Sequence, residues 1–123
     1  MGYQGYRDLI VFQKAYQAAL KIFEITKEFP NEERYSLIDQ IRRSSRSVPA
    51  NIAEGWKKRK YPKMFVNKLI DCSGEASETE VWLDFCNDLG YLSSERYQDL
   101  ISLYEEIGKM LHSMINSPEK FTF

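Results

Sequence analysis

Between Pro62 and Asp88, apolar or small side chains return every three or four residues without a break, at Phe65, Leu69, Cys72, Ala76, Thr79, Leu83 and Cys86. A strand would alternate every second residue, whereas this spacing sets all seven on one side of a helix, in a heptad seam. Such a seam needs other helices to cover it. Its middle is small at Cys72 and Ala76, with Gly74 nearby, so a neighbouring helix is expected to come close.

Three more helices follow from the same arithmetic. Residues 6–28 carry a stripe at Leu9, Phe12, Tyr16, Ala19 and Phe23, stopped by Phe29-Pro30-Asn31 because a proline disfavours helical geometry in the residue before it. A second helix is expected from Glu32 or Glu33, acids that suit the positive end of the helix dipole. Its stripe is Leu37, Ile41, Ser45, Val48 and Ile52. Pro49 falls inside that pattern without shifting its phase, which predicts a kink rather than a break. Gly55 is a candidate weak point or C-cap. Pro62 suits the first turn of the third helix, and Gly90 suits its left-handed C-cap. The fourth starts after Ser93 or Ser94, carries Leu100, Leu103, Ile107, Met110 and Met114, and ends at Ser117-Pro118. No strand-like alternation occurs. The expected fold is all-α, one domain over residues 1–123, an up-down-up-down four-helix bundle with helix two kinked at Pro49.

The net charge of −1 hides a strong asymmetry. Residues 34–68 hold 10 basic and 2 acidic groups, and residues 69–108 hold 1 basic and 10 acidic. One reading is mutual neutralisation, within a subunit or between subunits. The other is a basic surface for polyanions beside a separate acidic surface. Arg42, Arg43 and Arg46 are close on helix two. Lys57, Lys58, Arg59, Lys60 and Lys63 follow, flanked by Trp56 and Tyr61. Cations hold phosphates and a neighbouring aromatic can stack on an unpaired base, so these eight residues are the candidate RNA or DNA contacts. Lys63 lies in the first turn of helix three, where positive charge is disfavoured, so the run is more than dipole decoration. Helix one is apolar on more than one face, at Ile10-Val11-Phe12 and Leu20, Ile22 and Phe23. A second apolar face predicts a homo-oligomer.

Little else points to chemistry. Cys72 and Cys86 are about 21 Å apart along one helix, too far to bridge, and read as buried thiols of a reducing cytoplasm. His112 is the single histidine, and the Glu-x-x-His pairs of a dinuclear carboxylate bundle are missing. Glu75, Glu78 and Glu80 could gather round a cation but read better as solvated or paired carboxylates. There is no P-loop, dinucleotide glycine pattern or nucleophile elbow, and Ser44, Ser45 and Ser47 lack a base in register. No enzyme, cofactor or metal is therefore expected. No apolar run reaches the ~18–20 residues of a membrane helix, and Met1 to Arg7 lacks a signal-peptide core.

The most specific string is Gln40 to Gly55, QIRRSSRSVPANIAEG. It resembles the signature of the four-helix bundle proteins first noticed as reading frames inside intervening sequences of bacterial 23S ribosomal RNA genes. Asp8-Leu9 to Phe12, Phe29-Pro30, Glu33, Gly74, Glu78 and Asp88-Leu89-Gly90-Tyr91-Leu92 extend the resemblance over about residues 6–115. It implies a bundle that assembles into a ring, typically a pentamer, without catalytic residues, metal or cofactor. The fold is similar to the accessory variability protein of diversity-generating retroelements, a basic pentamer that binds nucleic acid and a reverse transcriptase. One departure is Gly74-Glu75, where the family often has Gly-Ser; it adds negative charge. Within the signature, Ser47, Pro49, Asn51, Ala53, Glu54 and Gly55 read as fold-defining. Asn51 and Glu54 share a face, Arg43 lies roughly in line with Glu54, and polar side chains are expected to serve the carbonyls freed at Pro49.

Together these readings describe a non-enzymatic, cytoplasmic, homo-oligomeric bundle that binds RNA or DNA through residues 42–63. The alternative is a protein-interaction scaffold in which the basic block pairs with the acidic block of a neighbour. A metal-dependent enzyme built on Glu75, Glu78 and Glu80 is a remote third.

Overall fold

The computed structural model describes residues 4–121. It holds four long helices, α1 (Ile10–Thr26), α2 (Leu37–Lys57), α3 (Pro62–Asp88) and α4 (Ser94–Asn116), and three single 3-10 turns at Tyr6–Asp8, Asn31–Glu33 and Pro118–Lys120. There is no strand among the described residues. Each helix packs on two others, in the cycle α1–α2–α3–α4–α1, and the α2–α3 contact is the most extensive. One apolar cluster draws on all four, so the chain is a four-helix bundle. No described helix is long and apolar enough to cross a membrane.

The caps are legible locally. Ser93 caps α4, its hydroxyl accepting the Arg96 amide at 3.2 Å. Pro62 opens α3, where a missing N–H costs nothing. Gly90 takes φ 78° after α3, and the Tyr91 amide reaches back to the Cys86 carbonyl at 2.9 Å, closing a Schellman turn. The start of α2 differs from expectation. Glu32 and Glu33 form a separate 3-10 turn, and α2 begins only at Leu37. Glu33 is drawn out of the helix by two donors, the Ser36 hydroxyl at 2.7 Å and the Tyr91 hydroxyl at 2.8 Å, which hold its carboxyl below the usual carboxylate range.

All seven residues of the α3 seam and all five of the α2 stripe are buried. α2 runs through Pro49 as one helix, and Pro49 itself is buried. The α1 stripe is corrected by one residue. The core face is Val11, Ala15, Ala18 and Ile22, with Leu9 before it and Thr26 after, whereas Tyr16 is 49% exposed and Phe12, Ala19 and Phe23 are only partly buried. A shift of one residue turns a helix by about 100°. The physical reason is size. Ala15 and Ala18 let α1 lie close to its neighbours, and the rings take the roomier flank. α4 shows the same shift at two positions, burying Tyr104 and Leu111 where Leu103 and Met110 were expected. Gly74 is also corrected. It is exposed, and a side chain there would meet nothing within 4 Å.

Cys72 and Cys86 are free, fully buried thiols, each pushed up to about 12 by loss of solvation. Both should resist alkylation at pH 8 in the native state and react at once in urea; fast native labelling of either would contradict the packing. Tyr104 is completely buried, and its hydroxyl has no hydrogen-bond partner among the described residues. An unsatisfied buried hydroxyl costs about 1–3 kcal/mol. Tyr104→Phe should therefore stabilise the bundle by about 1 kcal/mol, read as a raised urea midpoint at unchanged slope.

Candidate nucleic-acid interface

The eight candidate cations do not form one surface. Arg42 faces inward. Its Nε donates to the Thr26 hydroxyl at 2.8 Å, and its guanidinium lies 4.6 Å from the Phe23 ring centre, so it ties α2 to the end of α1. Arg43 reaches across to α3 and forms ion pairs with Glu75 (3.2 Å) and Glu78. Trp82 donates its indole N–H to the same Glu78 carboxylate at 3.0 Å. Arg59 stacks on Trp56, 3.7 Å from the ring centre, and donates to the Trp56 carbonyl at 2.9 Å and the Phe121 carbonyl at 3.4 Å. Partial burial lowers its pKa from the usual arginine value. These three arginines hold elements of the chain together.

Five cations remain. Arg46 is exposed, 5.7 Å above Phe23. Lys57, Lys58, Lys60 and Lys63 crowd the corner between α2 and α3, and no ion pair holds any of them among the described residues. Lys57 and Lys58 sit at the C-terminal end of α2, where its carbonyls favour positive charge, while Lys63 sits in the first turn of α3. Tyr61 is 56% exposed beside them. Trp56 is corrected as a stacking platform: it is buried, packed edge-on against Phe65 and Phe121 at 6.4 Å each.

The signature residues build the α2–α3 contact next to this corner. Gly55 is buried, and a methyl group on it would lie 3.0 Å from the Lys68 Cβ of α3. Lys68 passes over Gly55 and places its ammonium 2.8 Å from Glu54 and 3.3 Å from the Asn51 side-chain oxygen. The Asn51 amide in turn donates to the Ser47 carbonyl at 2.9 Å, and the Ser47 hydroxyl to the Arg43 carbonyl at 2.9 Å. Deeper in, the buried hydroxyls of Ser44 and Thr79 meet at 2.8 Å, and the Cys72 thiol faces the Val48 carbonyl at 3.6 Å. Arg43 and Glu54 do line up on one side of α2, and from it both pair across to α3, Arg43 with Glu75 and Glu78, and Glu54 with Lys68. Gly55 is a point of close approach inside α2 rather than its cap.

The remaining candidates are quickly placed. Arg43 occupies Glu75 and Glu78, while Glu80 lies apart, its carboxyl raised by burial and by Glu105 and Asp84. Among the described residues no group of three or more His, Cys, Asp or Glu is placed to hold a metal ion. His112 is exposed and hydrogen-bonded to Asn116 at 2.9 Å. What the sequence reading did not locate is an open groove of about 790 Å³ between α1 and α2, floored by Pro49, Ala50 and Ala53 and walled by Phe12, Tyr16 and Phe23. The two-faced apolar pattern of α1 was its signal.

A family model described as 23S rRNA-intervening sequence protein matches residues 7–113. The fold is similar to a solved protein of unknown function from the S23 ribosomal protein family of Bacteroides thetaiotaomicron VPI-5482. The two are 34% identical with a TM-score of 0.78, over 86% of this chain and 98% of that one. No curated protein matches the chain.

Two outcomes test the signature as a helix clamp. Gly55→Ala gains up to ~1 kcal/mol of helix propensity but forces α3 away, since Lys68 Cβ is anchored to backbone. It should destabilise by a net ~1–2 kcal/mol in urea titration, whereas Gly108→Ala, with nothing within 4 Å, should stabilise by up to ~1 kcal/mol. Glu54 is held below the usual carboxylate range by Lys68, and Lys68 above the usual lysine range by Glu54. The Glu54 contribution is present above the ordinary carboxylate pKa and is lost as pH falls through the depressed value; that of Lys68 is lost only as pH rises through its elevated value. Glu54→Gln should thus flatten the acid limb of a melting-temperature profile.

Proposed function

The chain belongs to the 23S rRNA-intervening sequence protein family, and from that premise we propose a non-enzymatic, homo-oligomeric bundle that binds RNA or DNA at the α2–α3 corner. The observation that carries this reading is the cluster of Lys57, Lys58, Lys60 and Lys63, none of them held in an ion pair among the described residues and only Lys58 in the field of a carboxylate, that of Glu54; the exposed Tyr61 ring adjoins the cluster. Arg46 lies apart from the corner, lining the α1–α2 groove beside Phe23. Arg42, Arg43 and Arg59 leave the proposed interface, because each is engaged within the chain. Lysines without guanidinium partners read phosphate charge and not base edges, so binding is weakly sequence-specific. Copies assemble into a ring, a pentamer by family resemblance, which multiplies the corner around an axis and raises avidity. Each copy is a single domain whose helices alternate up-down-up-down, with α2 bent at Pro49. Two buried free thiols suit the reducing cytoplasm.

A second reading has its own support. Ile10, Tyr16 and Leu20 on α1, Ile70, Val81 and Phe85 on α3, and Leu89 at its C-cap are all about half exposed, which favours protein contacts and a scaffold without nucleic-acid affinity.

Fluorescence anisotropy of labelled structured RNA, single-stranded RNA and duplex DNA, at two salt concentrations, separates the two. Lys57→Glu/Lys58→Glu/Lys60→Glu should abolish salt-sensitive binding, while Arg43→Gln should lower stability and leave affinity nearly unchanged. No binding by the wild type at tens of micromolar in low salt would leave the scaffold.

A further inference from the structure

Two exposed apolar surfaces lie on different helices, and the charges beside them are of opposite sign. One is concave, the α1–α2 groove; among the described residues its only charged lining groups are Arg7 and Arg46. The other is an exposed row. Val81 and Phe85 on α3 and Leu89 at its C-cap stand four residues apart, 49%, 49% and 52% exposed, and Trp82 broadens this ridge against Phe85 with ring centres 5.8 Å apart; Trp82, Phe85 and Leu89 also wall an open depression toward Leu37 at the start of α2. Exposed Asp84 and Asp88 flank it; Asp84 accepts the Tyr97 hydroxyl at 2.5 Å, and no ion pair holds either among the described residues.

We infer that the α3 ridge of one copy of this chain docks in the α1–α2 groove of a second copy. The ridge runs over nine residues, about 12 Å from first to last, and the groove follows α1 from Phe12 to Phe23, about 16 Å, so a row of four-spaced side chains fits lengthwise between two helices. Charge selects this pairing. Groove on groove would set arginine against arginine, and ridge on ridge aspartate against aspartate; groove on ridge sets Arg7 and Arg46 against Asp84 and Asp88. Because the two surfaces are different patches, the contact is heterologous, and repetition closes a ring or runs on as a filament. The inference rests on the assembly part of the proposed function and gives it a specific surface. It also gives the two-faced α1 and α3 a purpose that the monomer does not.

The test is light scattering on a sizing column, without nucleic acid, so that it reads assembly alone. The wild type should run at a multiple of 14.5 kDa. Phe85→Asp breaks the ridge and Tyr16→Asp the groove; both positions are half exposed, so the fold should survive, as melting will show. Each variant alone should run as a monomer at 10 µM, its association weakened at least ~100-fold by a charge placed in an apolar contact. Mixed in equal amounts they should form a dimer and stop there, since the Phe85→Asp copy keeps a sound groove and the Tyr16→Asp copy a sound ridge. Should either first variant melt early, Val81→Asp and Leu20→Asp repeat the mixing on the same two surfaces. Wild-type-like assembly of Phe85→Asp alone, or a mixture that stays monomeric, overturns the docking while leaving the oligomer itself intact. A monomeric wild type overturns both, and nucleic-acid binding is judged separately by anisotropy.

Discussion

The close approach of α2 and α3 is the constraint on which the rest of the bundle depends. At Gly55 the helices are near enough that one methyl group would collide with the Lys68 stem. That proximity brings Lys68 to Glu54 and Asn51 at one level, Ser44 to Thr79 at another, and Arg43 to Glu75 and Glu78 toward the other end. The apolar stripe supplies the attraction, through seven buried residues of α3 against the Leu37–Ile52 stripe of α2. The polar groups supply alignment, because each has its partner at only one relative position of the helices.

The signature string gains a physical meaning from this contact. Its Ser44, Asn51, Glu54 and Gly55 serve the α2–α3 interface. Pro49 is buried within a helix that passes through it, and the small Ala50 and Ala53 leave the floor of the α1–α2 groove open. A string that reads as a motif is here a packing specification, with the exposed lysine corner beginning just where it ends.

Charge asymmetry along the chain is resolved only partly within one copy. Arg43 spans the basic and acidic blocks by pairing with Glu75 and Glu78, which accounts for a glutamate after Gly74. The lysines of the corner and Asp84 and Asp88 on the α3 ridge have no such partner among the described residues. The surplus of each sign therefore faces outward, at separate places, and these are the surfaces on which binding and assembly readings rest.

The four helices, the boundaries at Pro62, Gly90 and Ser93 and the two central stripes were legible in the sequence, whereas the start of α2 was not. Where a helix has a single apolar face, as α2 does, periodicity names the buried residues; on α3 the unbroken heptad did so even with a second apolar face present. α1 and α4 each offer two faces about 100° apart, and spacing cannot choose between them. Only the packed structure decided that Ala15 and Ala18 go inward while Phe12, Tyr16 and Phe23 line a groove, because close helix approach rewards small residues over large ones. It also decided which cations are spent on neighbours and which stay free, since an ion pair such as Arg43 with Glu75 joins positions 32 residues apart that no local pattern connects.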